Sequence, residues 1–167
     1  LGTIDGAVSY DGVTFSYDDE ETIIDDVDLT VAPGETIGLV GPTGAGKTTL
    51  TKLLMRLYDT DEGTVRLDGH DVQDITVNSL RRHLGYVSQE PFLFGGTIRD
   101  NVSYGVAEAS DGAIITALER AGAWEFVEAL DERLDTVVGE RGVKLSGGQR
   151  QRLAIARATL KDPSLLV

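Results

Sequence analysis

The sequence predicts an α/β fold with an antiparallel sheet joined to its N-terminal part and a helical subdomain in its second half. Three observations predict it. A short apolar run, Glu35 to Val40, leads into the glycine loop GPTGAGKTT and then into leucines at helical spacing. Before this unit stand two runs of alternating apolar residues. After it come several segments with apolar residues at helical spacing.

In chain order, residues 8–17 alternate, with Val13, Phe15 and Tyr17 on one face, and predict a strand. The acidic stretch 18–21 turns the chain. Residues 22–31 form a second strand, with Val27, Leu29 and Val31 alternating. Pro33-Gly34 is a turn signal. Glu35 to Val40 then reads as a buried strand, and Leu50, Leu53, Leu54 and Leu57 mark one face of a helix. Asp59 to Gly63 is a polar turn. Asp68-Gly69 predicts a two-residue hairpin between residues 64–67 and 70–72. A short helix over 77–82 leads to a strand, Leu84 to Ser88. Thr97 and Asp100 carry the spacing of a helix start. Ile114, Ala117, Leu118 and Ala121 share a helical face, and residues 124–134 read as helical. Residues 138–142, VGERG, form a loop. A last helix opens at LSGGQ, with Leu153, Ala156, Arg157 and Leu160 on one face. Pro163 breaks it, and a closing strand begins.

The glycine loop has a physical logic. Gly44 and Gly46 can take backbone angles that penalise other residues, which lets successive N–H groups form an anion-binding nest. Lys47 adds a mobile positive charge that can reach outer phosphates. Thr48 offers a hydroxyl to a magnesium ion. The following helix points its positive end at the same place. The whole stretch Gly41, Pro42, Thr43, Gly44, Ala45, Gly46, Lys47, Thr48 and Thr49 is therefore a candidate phosphate site.

Composition narrows the function classes. The 167 residues predict one domain. There is no cysteine, which excludes disulfides and thiolate metal sites. No apolar run is long enough to span a membrane. The net charge of −13 argues against nucleic-acid and anionic-lipid partners. It is the composition expected of a high-salt cytoplasm, although an ordinary acidic domain shares it. A folding titration with KCl separates the two: stability should rise with salt, and full stability in dilute buffer would contradict the high-salt origin.

LSGGQ admits two readings. Ser146 and Gln149 have the spacing of a capping box. That does not explain Gly147 and Gly148, since glycine in a first turn weakens a helix. Glycines there do permit close approach of a ligand, so a second phosphate site is the other reading.

The glycine loop, then Gln89 at a strand end, then LSGGQRQRLAIARA, in that order, resembles the nucleotide-binding domain of ATP-binding cassette (ABC) proteins. The resemblance covers nearly the whole chain and implies a P-loop NTPase core. It implies that Gly41 to Thr49 binds ATP, with Lys47 and Thr48 on the phosphates and Mg²⁺. Ser146, Gly147, Gly148 and Gln149 would contact the γ-phosphate of ATP held by a second such domain. Tyr17 would stack on adenine, though a core aromatic would sit there too. Gln89 would touch Mg²⁺ and the attacking water, though an exposed loop glutamine has the same look. By resemblance, Lys47, Gln89 and Ser146 are thus the catalytic candidates. His70 and His83 match no family histidine and read as surface residues.

QEPFLFGGTIRDNV and TVVGERG look like the exporter branch. That implies a transmembrane domain upstream in the same polypeptide, and a site of action at the cytoplasmic face of the membrane. Glu140 and Arg141 would meet that domain, or else belong to a solvated loop. The resemblance divides the chain into a nucleotide core with its antiparallel sheet over 1–88, a helical subdomain over 89–160, and the first part of an apolar strand over 161–167. The family's Asp-Glu pair would follow, so the chain reads as part of a longer protein, and these 167 residues alone are expected to hydrolyse ATP poorly. Alternatives are an ABC-type ATPase with no membrane partner, a binding-only domain, or another phosphate-loop enzyme such as a GTPase or small-molecule kinase. The last leaves LSGGQ unexplained.

Overall fold

The computed structural model describes residues 1–167 except Leu1, Thr3, Asp19, Glu20 and residues 140–143. The chain divides into two compact units, Leu1–Leu84 and Gly85–Val167.

The first unit is built on a four-stranded antiparallel sheet in the order β2-β1-β3-β4. Its strands are β1 (Val8–Ser16), β2 (Thr22–Val31), β3 (Glu62–Leu67) and β4 (His70–Asp71). Alternation puts Val8, Tyr10, Val13 and Phe15 on the buried face of β1. Val13 opposes Val27 and Phe15 opposes Ile24, so one strand gains a residue between the two pairs. Asp26 absorbs that bulge at φ +46°, and its N–H donates to the Thr14 hydroxyl at 3.1 Å. Gly63 marks a close crossing: a Cβ there would stand 2.2 Å from the Gly12 carbonyl oxygen.

The Asp68-Gly69 hairpin forms as its sequence dictates, both residues taking positive φ, +49° and +78°. The Asp68 carboxylate also accepts the N–H groups of Asp5, Gly6 and Ala7, at 2.6, 3.0 and 2.7 Å, and so fastens the N-terminal segment. The helices of this unit are α1 (Lys47–Leu54) and α2 (Val77–Arg82), the latter capped by the Thr76 side chain. Tyr10 is buried beneath α1 with its hydroxyl donating to the Leu50 carbonyl at 2.9 Å, and burial pushes that phenol well above its usual value.

Two expectations fail in this unit. The strand expected over Glu35–Val40 does not form, and Ile37, Leu39 and Val40 are 40%, 38% and 97% exposed. A doubly buried strand needs pairing neighbours, and the sheet order of this unit provides none beside this run. The preceding turn does form, with Gly34 at φ +72° and the Glu35 N–H on the Ala32 carbonyl. Leu57 does not continue the helical face either. The helix stops at Leu54, Arg56 turns into the left-handed region at φ +49°, and Leu57 is half exposed. The Arg56 guanidinium repays that turn by donating to the carbonyls of Val72 and Ile75 and pairing with Asp59.

The second unit is mostly helical. Strand β5 (Leu84–Gly85) lies at the boundary, shorter than the strand expected over residues 84–88. Val167 donates to the Gly85 carbonyl and accepts from the Val87 N–H, both at 2.8 Å, which is the parallel pattern. Next come β6 (Gly96–Thr97), α3 (Ile98–Val102), α4 (Asp111–Arg120), α5 (Trp124–Glu128), β7 (Val137–Val138), α6 (Gly147–Leu160) and β8 (Leu165–Leu166). Thr97 and Asp100 form the full capping box of α3, and those Thr97 hydrogen bonds hold the Asp100 carboxyl below its usual value. The helix expected over residues 124–134 splits: α5 ends at Glu128, and a single 3₁₀ turn follows over Arg133–Asp135, entered through Arg133 at φ +47°. Val137–Val138, which straddles the start of the expected loop, pairs antiparallel with Gly96–Thr97. Glu140 and Arg141 lie outside the described residues. Ile98, Ile114, Leu118, Val127 and Leu153, none measurably more than 1% exposed, form the centre of this core.

Candidate functional site

The phosphate-loop residues belong to the first unit. Gly44 and Gly46 take φ +88° and +81°, the left-handed angles that a nest requires. Gly46 caps α1 without a side chain. A Cβ at Gly46 would lie 2.5 Å from Ile24 Cδ1 and 3.1 Å from the Ile23 carbonyl oxygen, so the loop end sits directly on β2. The Lys47 ammonium folds back over the loop and donates to the carbonyls of Gly41 and Pro42, at 2.8 and 2.7 Å. Thr48 is exposed in the first turn of α1. Thr49 is 5% exposed, and its hydroxyl hydrogen-bonds to the Tyr17 hydroxyl at 3.0 Å. It therefore faces Tyr17 rather than open solvent.

These residues fit a nucleoside triphosphate with its metal. Among the described residues no group of three or more His, Cys, Asp or Glu could hold a metal ion. A magnesium ion at this loop would draw its oxygens from Thr48, water and the phosphates themselves.

Tyr17 keeps 44% of its surface exposed. Partial burial pushes its hydroxyl up, but the hydrogen bonds with Thr49 and Lys52 and the lysine charge outweigh this and hold it below the usual phenol value. The Lys52 ammonium donates to that hydroxyl at 3.1 Å.

Ser146 and Gln149 belong to the second unit and form the capping box of α6: Gln149 N–H to Ser146 Oγ, Ser146 N–H to Gln149 Oε1. The cap thus exists, and it leaves the two glycines unexplained. A Cβ at Gly148 would meet nothing within 4 Å, and one at Gly147 only the Arg150 guanidinium at 3.9 Å. Neither has a positive φ. Nothing in the described fold requires glycine at either position.

Gln89 is exposed on the loop after β5. Together with Glu90, Phe92, Gly147, Gly148 and Gln151 it lines an open cleft of about 640 Å³. The second unit therefore brings Gln89, Gly147 and Gly148 to one cleft.

One pair of residues escaped sequence reasoning. Asn101, on α3, is 1% exposed. Its amide donates to the carbonyls of Phe94 and Thr97, both at 2.9 Å, and its oxygen accepts from the Phe94 N–H at 2.8 Å. Arg157, on α6, donates to the same oxygen at 2.9 Å, to the Asn101 carbonyl at 2.7 Å and to the Phe92 carbonyl at 3.0 Å. Its guanidinium carbon lies 5.3 Å from the Phe94 ring centre. Burial lowers the Arg157 pKa. This knot ties α6 to the segment that follows Gln89. The available signal was an asparagine set between the apolar residues Ile98 and Val102 on a buried helix face.

The sequence profile of the ABC transporter family matches residues 24–167. The chain belongs to the ABC transporter family. It is 52% identical over 169 residues to an ATP-dependent lipid A-core flippase of Dechloromonas aromatica (strain RCB), covering 100% of this chain and 29% of that protein. It is 49% identical over 166 residues to a β-(1→2)glucan export ATP-binding/permease protein of Rhodopseudomonas palustris (strain ATCC BAA-98 / CGA009), covering 99% of this chain and 28% of that one. The structure of a bacterial Atm1-family ABC exporter with ATP bound superposes with a TM-score of 0.92 at 43% identity, over 96% of this chain and 28% of that chain. The chain thus spans less than a third of the length of these relatives. The fold is that of an α/β P-loop NTPase domain of this family. Among the described residues no helix is long and apolar enough to cross a membrane.

Proposed function

We propose that this ABC transporter chain is the ATP-binding and ATP-hydrolysing motor of an exporter at the cytoplasmic face of a membrane. Its relatives are named as a flippase and an export ATP-binding/permease protein, which supports an upstream transmembrane domain in the same polypeptide. Lys47 leaves its two loop carbonyls and pairs with the outer phosphates. Thr48 would give its hydroxyl to Mg²⁺, which when bound would neutralise phosphate charge. Tyr17 offers its exposed ring to the adenine. Gln89 orients the attacking water, and Lys47 stabilises the charge that develops as phosphoryl transfer proceeds. The net charge of −13 argues against a nucleic-acid partner.

The observation that carries the two-copy arrangement is the pair of glycines at the start of α6 that no packing in the described fold explains. They make room for a γ-phosphate held by a second nucleotide-binding domain, identical or paralogous. ATP then completes the interface, and its hydrolysis removes part of it, so the nucleotide state biases a two-state closure.

The test is Gly148→Ala in the intact protein. The added methyl group meets nothing within 4 Å. Helix propensity predicts a gain of up to about 1 kcal/mol in stability. ATP turnover should nevertheless fall at least about tenfold, because the methyl group intrudes on the phosphate and its donors. A variant that is more stable and fully active would contradict the contact with a second copy.

A further inference from the structure

Three aromatic rings meet where β1 ends, beside the phosphate loop. Phe15, Tyr17 and Tyr58 contact one another pairwise, with centroids 5.0, 5.6 and 5.0 Å apart. Phe15 is 3% exposed and anchors the cluster in the core. Tyr17 stands edge-on to both neighbours, at 85° to Phe15 and 83° to Tyr58. Its far end is pinned by Thr49 and Lys52 on α1. The Lys52 ammonium lies 5.1 Å from the Tyr17 ring centre and 5.9 Å from that of Tyr58.

Tyr58 is itself held. It follows the left-handed turn at Arg56, whose guanidinium is fixed to Val72, Ile75 and Asp59. The Leu57 N–H returns to the Lys52 carbonyl at 2.9 Å. The turn after α1 thus delivers one aromatic edge to Tyr17, while α1 delivers one ammonium to its hydroxyl.

We propose that Tyr58 and Lys52 are positioning residues for Tyr17. They hold its ring in a single orientation and so set the affinity of the site for the base of a nucleoside triphosphate. This rests on the reading of Tyr17 as the base-stacking ring. A side chain on a strand end with a half-exposed ring otherwise samples about three staggered wells. Fixing one well removes the affinity loss that a fractionally populated competent state imposes. The effect reaches only ligands that carry a base. Tripolyphosphate, which engages the loop and not the ring, is indifferent to it.

The experiment is equilibrium binding of Mg–ATP and of Mg–tripolyphosphate to the intact protein, with Tyr58→Ala, Tyr58→Phe, Lys52→Met and Tyr17→Ala. Tyr58→Ala and Lys52→Met should each weaken ATP by about two- to threefold and leave tripolyphosphate unchanged. Tyr58→Phe keeps the edge contact and should restore ATP affinity. Equal losses for ATP and tripolyphosphate would overturn the proposal, since the change would then act through the helix and loop. Unchanged ATP affinity in Tyr58→Ala, with a loss in Tyr17→Ala, would overturn it while leaving the stacking reading standing. No loss in Tyr17→Ala would end both. Tyr58 is 44% exposed, so its truncation leaves the core intact.

Discussion

Replacing Lys47 with alanine is expected to lower ATP turnover by about two to three orders of magnitude. The lysine is the cation that folds over the glycine loop, within hydrogen-bond reach of two of its carbonyls. When phosphates enter, it exchanges neutral acceptors for charged ones, and charge-assisted hydrogen bonds are the stronger kind. Its contribution grows as charge develops on the phosphoryl oxygens, so the loss falls on turnover as well as affinity. Arginine should not restore the rate, because a planar fork cannot replace a compact ammonium inside a tight loop. Steady-state hydrolysis by the intact protein reads this directly. A loss smaller than about threefold would remove Lys47 from the proposed chemistry.

Asn101→Leu should produce the largest loss of stability. The side chain satisfies the Phe94 N–H, the Phe94 and Thr97 carbonyls, and one Arg157 nitrogen. Leucine is similar in size, so the cost is not a cavity. It is the set of buried polar groups left without partners, at about 1–3 kcal/mol each where water cannot reach. We expect a total of about 3 kcal/mol or more. Arg157→Leu should cost less than the sum of its bonds, since part of its surface is open to water, and the two changes together should be less than additive. Chemical unfolding followed through Trp124, the single tryptophan of the chain, measures both. A change below about 1 kcal/mol in Asn101→Leu would mean that the knot is not structural.

What was legible in the sequence follows from the range of the forces involved. The Asp68-Gly69 hairpin and the capping boxes at Thr97/Asp100 and Ser146/Gln149 were legible because turn geometry and helix ends are decided within four residues. The phosphate loop was legible for the same reason, since its glycines are fixed by their own φ values. Glu35–Val40 was misread because an apolar run says that burial is wanted, not which neighbours supply it. Leu57 kept the helical spacing, but Arg56 left the helix, drawn by carbonyls at Val72 and Ile75 that no local window contains. The Asn101–Arg157 bond joins residues 56 apart in sequence. Tyr58 escaped notice because its significance lies in a ring contact with a strand far upstream. The local geometry of the candidate site was therefore legible wherever backbone chemistry defines it, and illegible wherever distant side chains support it.

Equilibrium binding of Mg–ATP to the intact protein tests the account most directly. It predicts saturable binding that tripolyphosphate competes away and Lys47→Ala abolishes. Absence of binding, or binding that survives Lys47→Ala unchanged, would contradict the assignment of Gly41 to Thr49 as the nucleotide site.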